Sequence, residues 1–326
     1  MGDFNSIKEA FIKVGFDNPR MKENRYKKFK KTNSKAIKGS KPNNSKLNTS
    51  NDDDMNLGYI FYKEYFNQNF NEDIFTIINN YKLMNYKLNF QESDELIKGL
   101  TKQEFILKTK YPGLIMGSGY SHGLKEDDAF KLGFYFDYTS GLPVIPASTI
   151  KGTVRSIFKK LRYNRDDVPE EMIEYKENMR ENALEYFKDI LVGKEVNYDI
   201  LKEIEYEIFE GKDYDKENDK YYNKPICSRD IFFDATLNLK ENNNKIILAD
   251  DYITPHKSPI KNPIPIKFLK IKPDVFFKFR FNLKKGKYLN KNDKKELIQR
   301  IIMDFGIGAK TSVGYGFMEK EDNLNE

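Results

Sequence analysis

The stretch best equipped for chemistry lies near the C-terminus: Phe305-Gly306-Ile307-Gly308-Ala309-Lys310-Thr311-Ser312-Val313-Gly314-Tyr315-Gly316-Phe317. Gly306, Gly308, Gly314 and Gly316 follow the pattern G-x-G-x5-G-x-G. Glycine permits positive φ and lets backbone approach another molecule closely. Successive N–H groups in such a turn can form an anion-binding concavity. Lys310, Thr311 and Ser312 add a cation and two hydroxyls at its centre. That chemistry suits a phosphate or a sugar–phosphate backbone; the plain alternative is a tight turn with no ligand. The segment is not a P-loop, because Ala309 precedes Lys310 and the order is helix then strand. It is not a dinucleotide fingerprint either, because Thr311 stands where the last glycine of G-x-G-x-x-G belongs.

A second stretch, Pro146-Ala147-Ser148-Thr149, opens a helix predicted over 149–162, with Ser148 or Thr149 as N-cap. Its first turn would offer free N–H groups and a dipole to a phosphate. Lys151 and Arg155 lie four apart on one face, with Gly152 between them. A phosphate at this helix start and another at the glycine loop would explain both stretches, and the two could line one groove.

His122 and His256 are the only histidines, and neither sits at metal-ligand spacing. His122 follows the turn Gly117-Ser118-Gly119 and could act as general base toward a ribose 2′-hydroxyl, as could His256. Hydrogen-bonding loop histidines are the favoured alternative. Gly117, Ser118, Gly119 and His122 form a further candidate RNA contact. Asp127-Asp128 and Asp250-Asp251 are paired carboxylates that could hold Mg2+ through waters, or simply be solvated. Cys227 is the only cysteine, which excludes an intramolecular disulfide and a cysteine-based metal site and fits a reducing cytoplasm. No cofactor and no metal are expected.

The elements that must position these residues follow from periodicity. Residues 5–15 could form a short helix, and 20–50 is a Lys/Asn/Ser-rich segment too poor in apolar residues to order itself. That segment is either a solvated tail or an arm for nucleic-acid phosphates. Asp52-Asp53-Asp54 could cap the next helix. Helices are predicted at 57–67 and 72–83, and strands at 104–110, 130–138 and 142–145. Residues 164–224 read as a charged helical insertion with a solvated face. Strands follow at 230–239 and 245–250, joined by a hairpin turn at Glu241-Asn242-Asn243-Asn244, and then a Pro-rich loop over 251–265. A strand at 275–283, a helix at 292–303 and a strand at 313–319 complete the chain.

Without its insertions this order is β-α-β-β-α-β, an α+β, ferredoxin-like (RRM-like) core. The domains expected are a partly flexible basic extension with helices (1–100), the first part of the core (101–163), the insertion (164–224) and the second part of the core (225–320). Of 326 residues, 39% are hydrophobic and 33% charged, with net charge +6, so a polyanionic partner is plausible. No apolar run is long enough to span a membrane and no signal peptide is visible.

With these stretches in hand, a resemblance can be stated. Gly306 to Gly316 resembles the C-terminal glycine loop of the RAMP superfamily, the ferredoxin-like RNA-binding proteins of CRISPR systems. Leu142 to Arg155 resembles that superfamily's proline-to-helix turn, P-G-S-S-I-K-G-x-x-R, with Ala147 and Thr149 as small departures. Three more stretches, in order, resemble the type III-B (Cmr) subunit family that caps the 3′ end of the guide RNA. They are Tyr111 to His122, Ile231-Phe232-Phe233-Asp234-Ala235, and Thr254-Pro255-His256 with Asn262 to Ile266. The resemblance covers about 103–319; the first hundred residues and the insertion match nothing specific. It implies a non-catalytic, cytoplasmic subunit of antiviral defence. Guide crRNA, target RNA in the assembled complex, and the backbone RAMP and small helical Cmr subunits would be its partners. It also implies RNA contact for Lys151 and Lys310 above all, and for Arg155. Two alternatives stay open: a RAMP endoribonuclease using a loop His or Asp, and an architectural RAMP subunit of a type III-A complex.

Overall fold

The computed structural model describes residues 56–66, 72–88, 99–117, 129–162, 169–254 and 265–321. The chain divides into two units, Met1–Asp54 and Met55–Glu326, and everything below concerns the second. The helix expected at 5–15, the basic segment 20–50 and Asp52–Asp54 lie outside the described residues.

The architecture mixes helix and sheet. The helices are α1 (Leu57–Tyr62), α2 (Glu72–Asn85), α3 (Ala147–Lys159), α4 (Ile173–Ile190), α5 (Tyr198–Glu205) and α6 (Lys291–Phe305). The strands are β1 (Gln103–Thr109), β2 (Val144–Ile145), β3 (Lys212–Asp215), β4 (Lys220–Asn223), β5 (Ile231–Phe232), β6 (Ala235–Leu237), β7 (Leu248–Ile253), β8 (Ile266–Ile271), β9 (Phe276–Asn282) and β10 (Met318–Glu319). The main sheet runs β10-β1-β9-β6-β2, with β5 also paired to β9, and every pairing is antiparallel.

β9 sits at its centre because alternate residues satisfy one buried face. Phe277, Phe279 and Phe281 are fully buried and share one side by the two-residue period. Phe105 and Leu107 of β1 lie opposite Phe279 and Phe277, and the two Phe rings at 105 and 279 stack at 5.1 Å. Lys278 and Arg280 point to the other side, where Arg280 donates to the Thr236 hydroxyl at 2.7 Å. α6 starts on a capping box, in which Asn290 and Asp293 satisfy each other's backbone N–H groups. α1 and α2 belong to the same core as β1: Phe61 packs on Phe130, Phe134 and Phe136.

Several sequence expectations are corrected. Residues 130–138 do not form a ladder strand. Only isolated pairing appears, such as Phe136 with Pro143, and the Tyr135 N–H donates to Met116 O. Their alternation reports burial of Phe130, Phe134 and Phe136 against α1, not a sheet partner. The strand near 245 does not make a hairpin with the one before it. β7 pairs with β8, a strand concealed in the Pro-rich region. The Asn-rich turn instead ties back to β9: buried Asn242 donates to Asn238 O and Phe276 O and accepts from the Phe276 N–H. The last strand shrinks to β10 because Thr311–Val313 winds into a 3-10 turn.

The insertion is helical only in part. After α5 comes a π-helical turn, Tyr206–Glu210, ended by Gly211 at φ 62°, and then the β3–β4 hairpin. Nor are its charges simply solvated. Glu205 and Glu207 are buried. Glu207 pairs with the buried Lys294 of α6, which also donates to Asp230 at 2.7 Å. Burial pushes the Asp230 carboxyl above its ordinary range although Lys294 pulls it down. These ion pairs fasten the insertion to the core.

Candidate nucleic-acid interface

The glycine loop is built from the inside out. α6 ends where Gly306 takes φ 71°, its N–H donating to Ile302 O at 3.0 Å. Ile307 N–H donates to Gly316 O, Ala309 N–H to Ile115 O, and Gly316 N–H to Gly113 O, all within 3.0 Å. A Cβ on Gly308 would stand 2.5 Å from Ile115 O, and one on Gly316 would collide with Ile307 O. The glycines are therefore required for packing the loop on itself and on 113–116. This corrects the picture of a cradle lined by free amides: most of the loop's N–H groups are already bonded inside the protein. The N–H groups of Lys310, Thr311 and Ser312 take no partner among the described residues. Lys310 and Ser312 are exposed there, with Lys310 at φ 62°.

The loop is also tied to the β7–β8 hairpin. The Tyr315 hydroxyl donates to Asp251 at 2.7 Å, and Lys270 reaches the same carboxylate oxygen at 2.6 Å. Burial would raise the Asp251 pKa, but the hydrogen bonds from Lys270 and Tyr315 overcome it and hold the carboxyl below its ordinary range. Burial and that carboxylate push the Tyr315 phenol well up. Ile115, Phe268 and Tyr315 form a small apolar cluster beneath. Three stretches singled out in the sequence thus meet at one place: 111–116, the hairpin that precedes and follows Thr254, and the glycine loop. Asp250 is paired too, with Lys267 at 3.2 Å. The Asp250-Asp251 pair is therefore held by lysines rather than arranged around a cation.

The start of α3 differs from expectation. Its N-cap is Pro146, which has no capping side chain; Ser148 and Thr149 are already helical. The anion at this terminus is the carboxylate of Asp234, which accepts the Ala147 N–H at 2.6 Å. Asp234 breaks the expected strand 230–239 into β5 and β6, and its role was missed although it sits inside the Ile231–Ala235 stretch. Lys151 is half-buried, 5.4 Å over the Phe232 ring and 3.4 Å from Phe209 O. Burial, and then the nearby Arg155, lower its pKa. Arg155 is committed elsewhere, donating to Glu205 at 2.8 Å and Glu210 at 2.5 Å. Its place on the face of Lys151 is confirmed, but its guanidinium serves the insertion. Gly152 is exposed, with open space where a Cβ would stand.

The two stretches do not share a groove. Asp234 holds the start of α3 beside β5 and β6, while the glycine loop feeds β10 at the opposite edge. β10 and β6 are three strand spacings apart, about 14 Å. Among the described residues no hydrogen bond or ion pair joins them. Gly117 is exposed beside this loop cluster. Ser118, Gly119, His122, Asp127, Asp128 and His256 lie outside the described residues.

With this geometry established, comparison places the chain in a class. The protein-family model of the RAMP superfamily matches residues 106–319, and the chain belongs to that superfamily. It is similar to a chain of the type III-B Cmr-beta complex bound to cognate target RNA, at 22% identity over 77% of this chain and 72% of that one, with a TM-score of 0.46. It is similar to Cmr6 from Pyrococcus furiosus, at 21% identity over 67% of this chain and 98% of that one, TM-score 0.39. A chain of a type III-A Csm–crRNA–target RNA ternary complex also matches, at 13% identity over 63% and 75%, TM-score 0.30. No curated protein sequence matches it. Among the described residues no helix is long and apolar enough to cross a membrane.

Proposed function

We propose that the chain is a structural RNA-binding subunit of a type III-B CRISPR effector complex, holding the 3′ portion of the guide crRNA and capping the backbone filament. Membership of the RAMP superfamily frames this reading, and one observation carries it. The glycine loop, the 111–116 stretch and the β7–β8 hairpin are locked together, and the loop leaves Lys310, Thr311 and Ser312 facing outward. An ammonium, hydroxyls and unpaired amides are the groups that hold a sugar–phosphate chain without reading its sequence. A ferredoxin-like core fits the sheet: the last, first, third and second of the four expected strands are neighbours in that order. Guide RNA, target RNA and the other Cmr subunits are the partners in this reading, in the cytoplasm.

The reading makes the chain a scaffold rather than a nuclease. Asp251 is engaged by Tyr315 and Lys270, and Asp250 by Lys267, so both carboxylates have structural duties. The test uses the purified chain with two guide-length RNAs of unrelated sequence. Lys310→Ala should weaken both alike and reduce the salt slope by about 0.7, the value for one phosphate on a single strand. Mg2+ should produce no cleavage of guide or target. Loss for one sequence only would point to base readout, and cleavage abolished by His122→Ala would restore the nuclease reading.

A further inference from the structure

The insertion contributes nothing to the RNA reading, yet it builds a groove. An open groove of about 570 Å³ runs between the C-terminal end of α3, the length of α4 and the end of α6. Its floor is apolar, with Met179, Ala183 and Phe305 among its lining. The walls are fixed in place. Tyr186 packs edge-on against Phe305 at 5.1 Å and its hydroxyl donates to Asp304 at 2.9 Å. Lys160 caps the Phe305 ring at 4.8 Å. At the lip Tyr175 stays 61% exposed, far more than an aromatic ring needs if the helix served only to pack. Methionine in the floor is a side chain that adapts to varied apolar shapes.

The rim carries the opposite sign to a nucleic-acid site. Glu174, Glu181 and Glu185 fall on one stripe of α4, beside the groove-facing residues, by the 3.6-residue period. All three are exposed. Glu185 is paired with Lys188 at 2.7 Å, while Glu174 and Glu181 take no ion-pair partner among the described residues. In a chain of net charge +6 this is a local acidic border on an apolar slot. Phosphates would be repelled from it, and a cationic side chain would be steered toward it.

The geometry points to a protein-docking groove on the insertion that takes a basic peptide segment, with one aliphatic or aromatic anchor in the slot and flanking Lys or Arg side chains over Glu174 and Glu181. Anchors of this kind dominate interface energetics, while rim charges set encounter rate and salt dependence. The inference is independent of the RNA reading, because it uses none of the residues of the glycine loop.

A randomised short-peptide display library selected against the full chain is the test, with single-stranded RNA measured alongside. Enriched peptides should carry one apolar anchor flanked by Lys or Arg. Their affinity should fall at least about tenfold on Glu174→Lys/Glu181→Lys, and by a similar factor on Tyr175→Ala, with RNA affinity unchanged. Glu174→Gln/Glu181→Gln should give a smaller loss and a flatter salt dependence. These positions are exposed, so thermal melts should match the unmodified chain. Enrichment of acidic peptides, or no enrichment sensitive to these changes, would overturn the proposal. So would RNA affinity, rather than peptide affinity, responding to the charge reversal. A failure of the Lys310 experiment with this result intact would remove only the RNA reading.

Discussion

At Gly308 the backbone sits at φ 88° with Ile115 O where a side chain would begin. Gly308→Ala therefore brings both left-handed strain and a backbone clash, and Gly316→Ala does the same against Ile307 O. Each should destabilise the protein by about 2–4 kcal/mol, read as a lowered Tm. Gly152 is the opposite case. It lies inside α3 with ordinary helical backbone and nothing near a Cβ, so Gly152→Ala should stabilise by about 0.5–1 kcal/mol. An RNA affinity that fell for Gly152→Ala while Tm rose would show that backbone approaches RNA there. Unchanged affinity would leave Gly152 out of the interface.

Between elements, charge does the fastening. α6, the π-helical turn and the residue before β5 meet at Lys294, Glu207 and Asp230, all deeply buried. Removing the cation leaves two carboxylates without water or partner, so Lys294→Met should cost about 3–5 kcal/mol. If Lys294→Met melted like the unmodified chain, this knot would not be holding the insertion. Arg155 acts the same way at the surface of α3. Arg155→Ala should expose the insertion to proteolysis through loss of its contacts to Glu205 and Glu210, with RNA affinity moving less than for Lys310→Ala. A larger RNA effect from Arg155 than from Lys310 would put the phosphate contact back on α3.

For the molecule as a whole, the glycine loop, 111–116 and the β7–β8 hairpin behave as one body joined at Asp251. Its carboxyl is held below the ordinary range in the folded chain. A depressed folded pKa adds stability that is present above the unfolded value of about 3.9 and is lost as pH falls through the folded one. Asp251→Asn should therefore melt lower than the unmodified chain near neutral pH, with the gap closing below about pH 4. A gap that stayed constant with pH would mean that the ion pair with Lys270 contributes nothing. The same body explains why losing the Tyr315 hydroxyl, as in Tyr315→Phe, should loosen the hairpin as well as the loop, measurable as faster amide exchange across β7 and β8.

What the sequence determined by itself was local. The G-x-G-x5-G-x-G pattern located the loop, the alternation of 275–283 located β9, and the capping signals located α6, because each depends on neighbours along the chain. The motif order also led to the right superfamily. Tertiary structure decided where charges go. Glu205, Glu207 and Arg155 look alike in sequence to the exposed Glu174 and Glu181, and only folding shows which of them find partners and leave water. It decided strand partners as well: β7 pairs with β8 across the Pro-rich stretch, and β3–β4 forms inside a run of charges that reads as helix. It also filled the start of α3 with Asp234, from 87 residues away. Long-range pairing and desolvation depend on residues that no sequence window contains, and those two effects settled which lysines and arginines remain available for RNA.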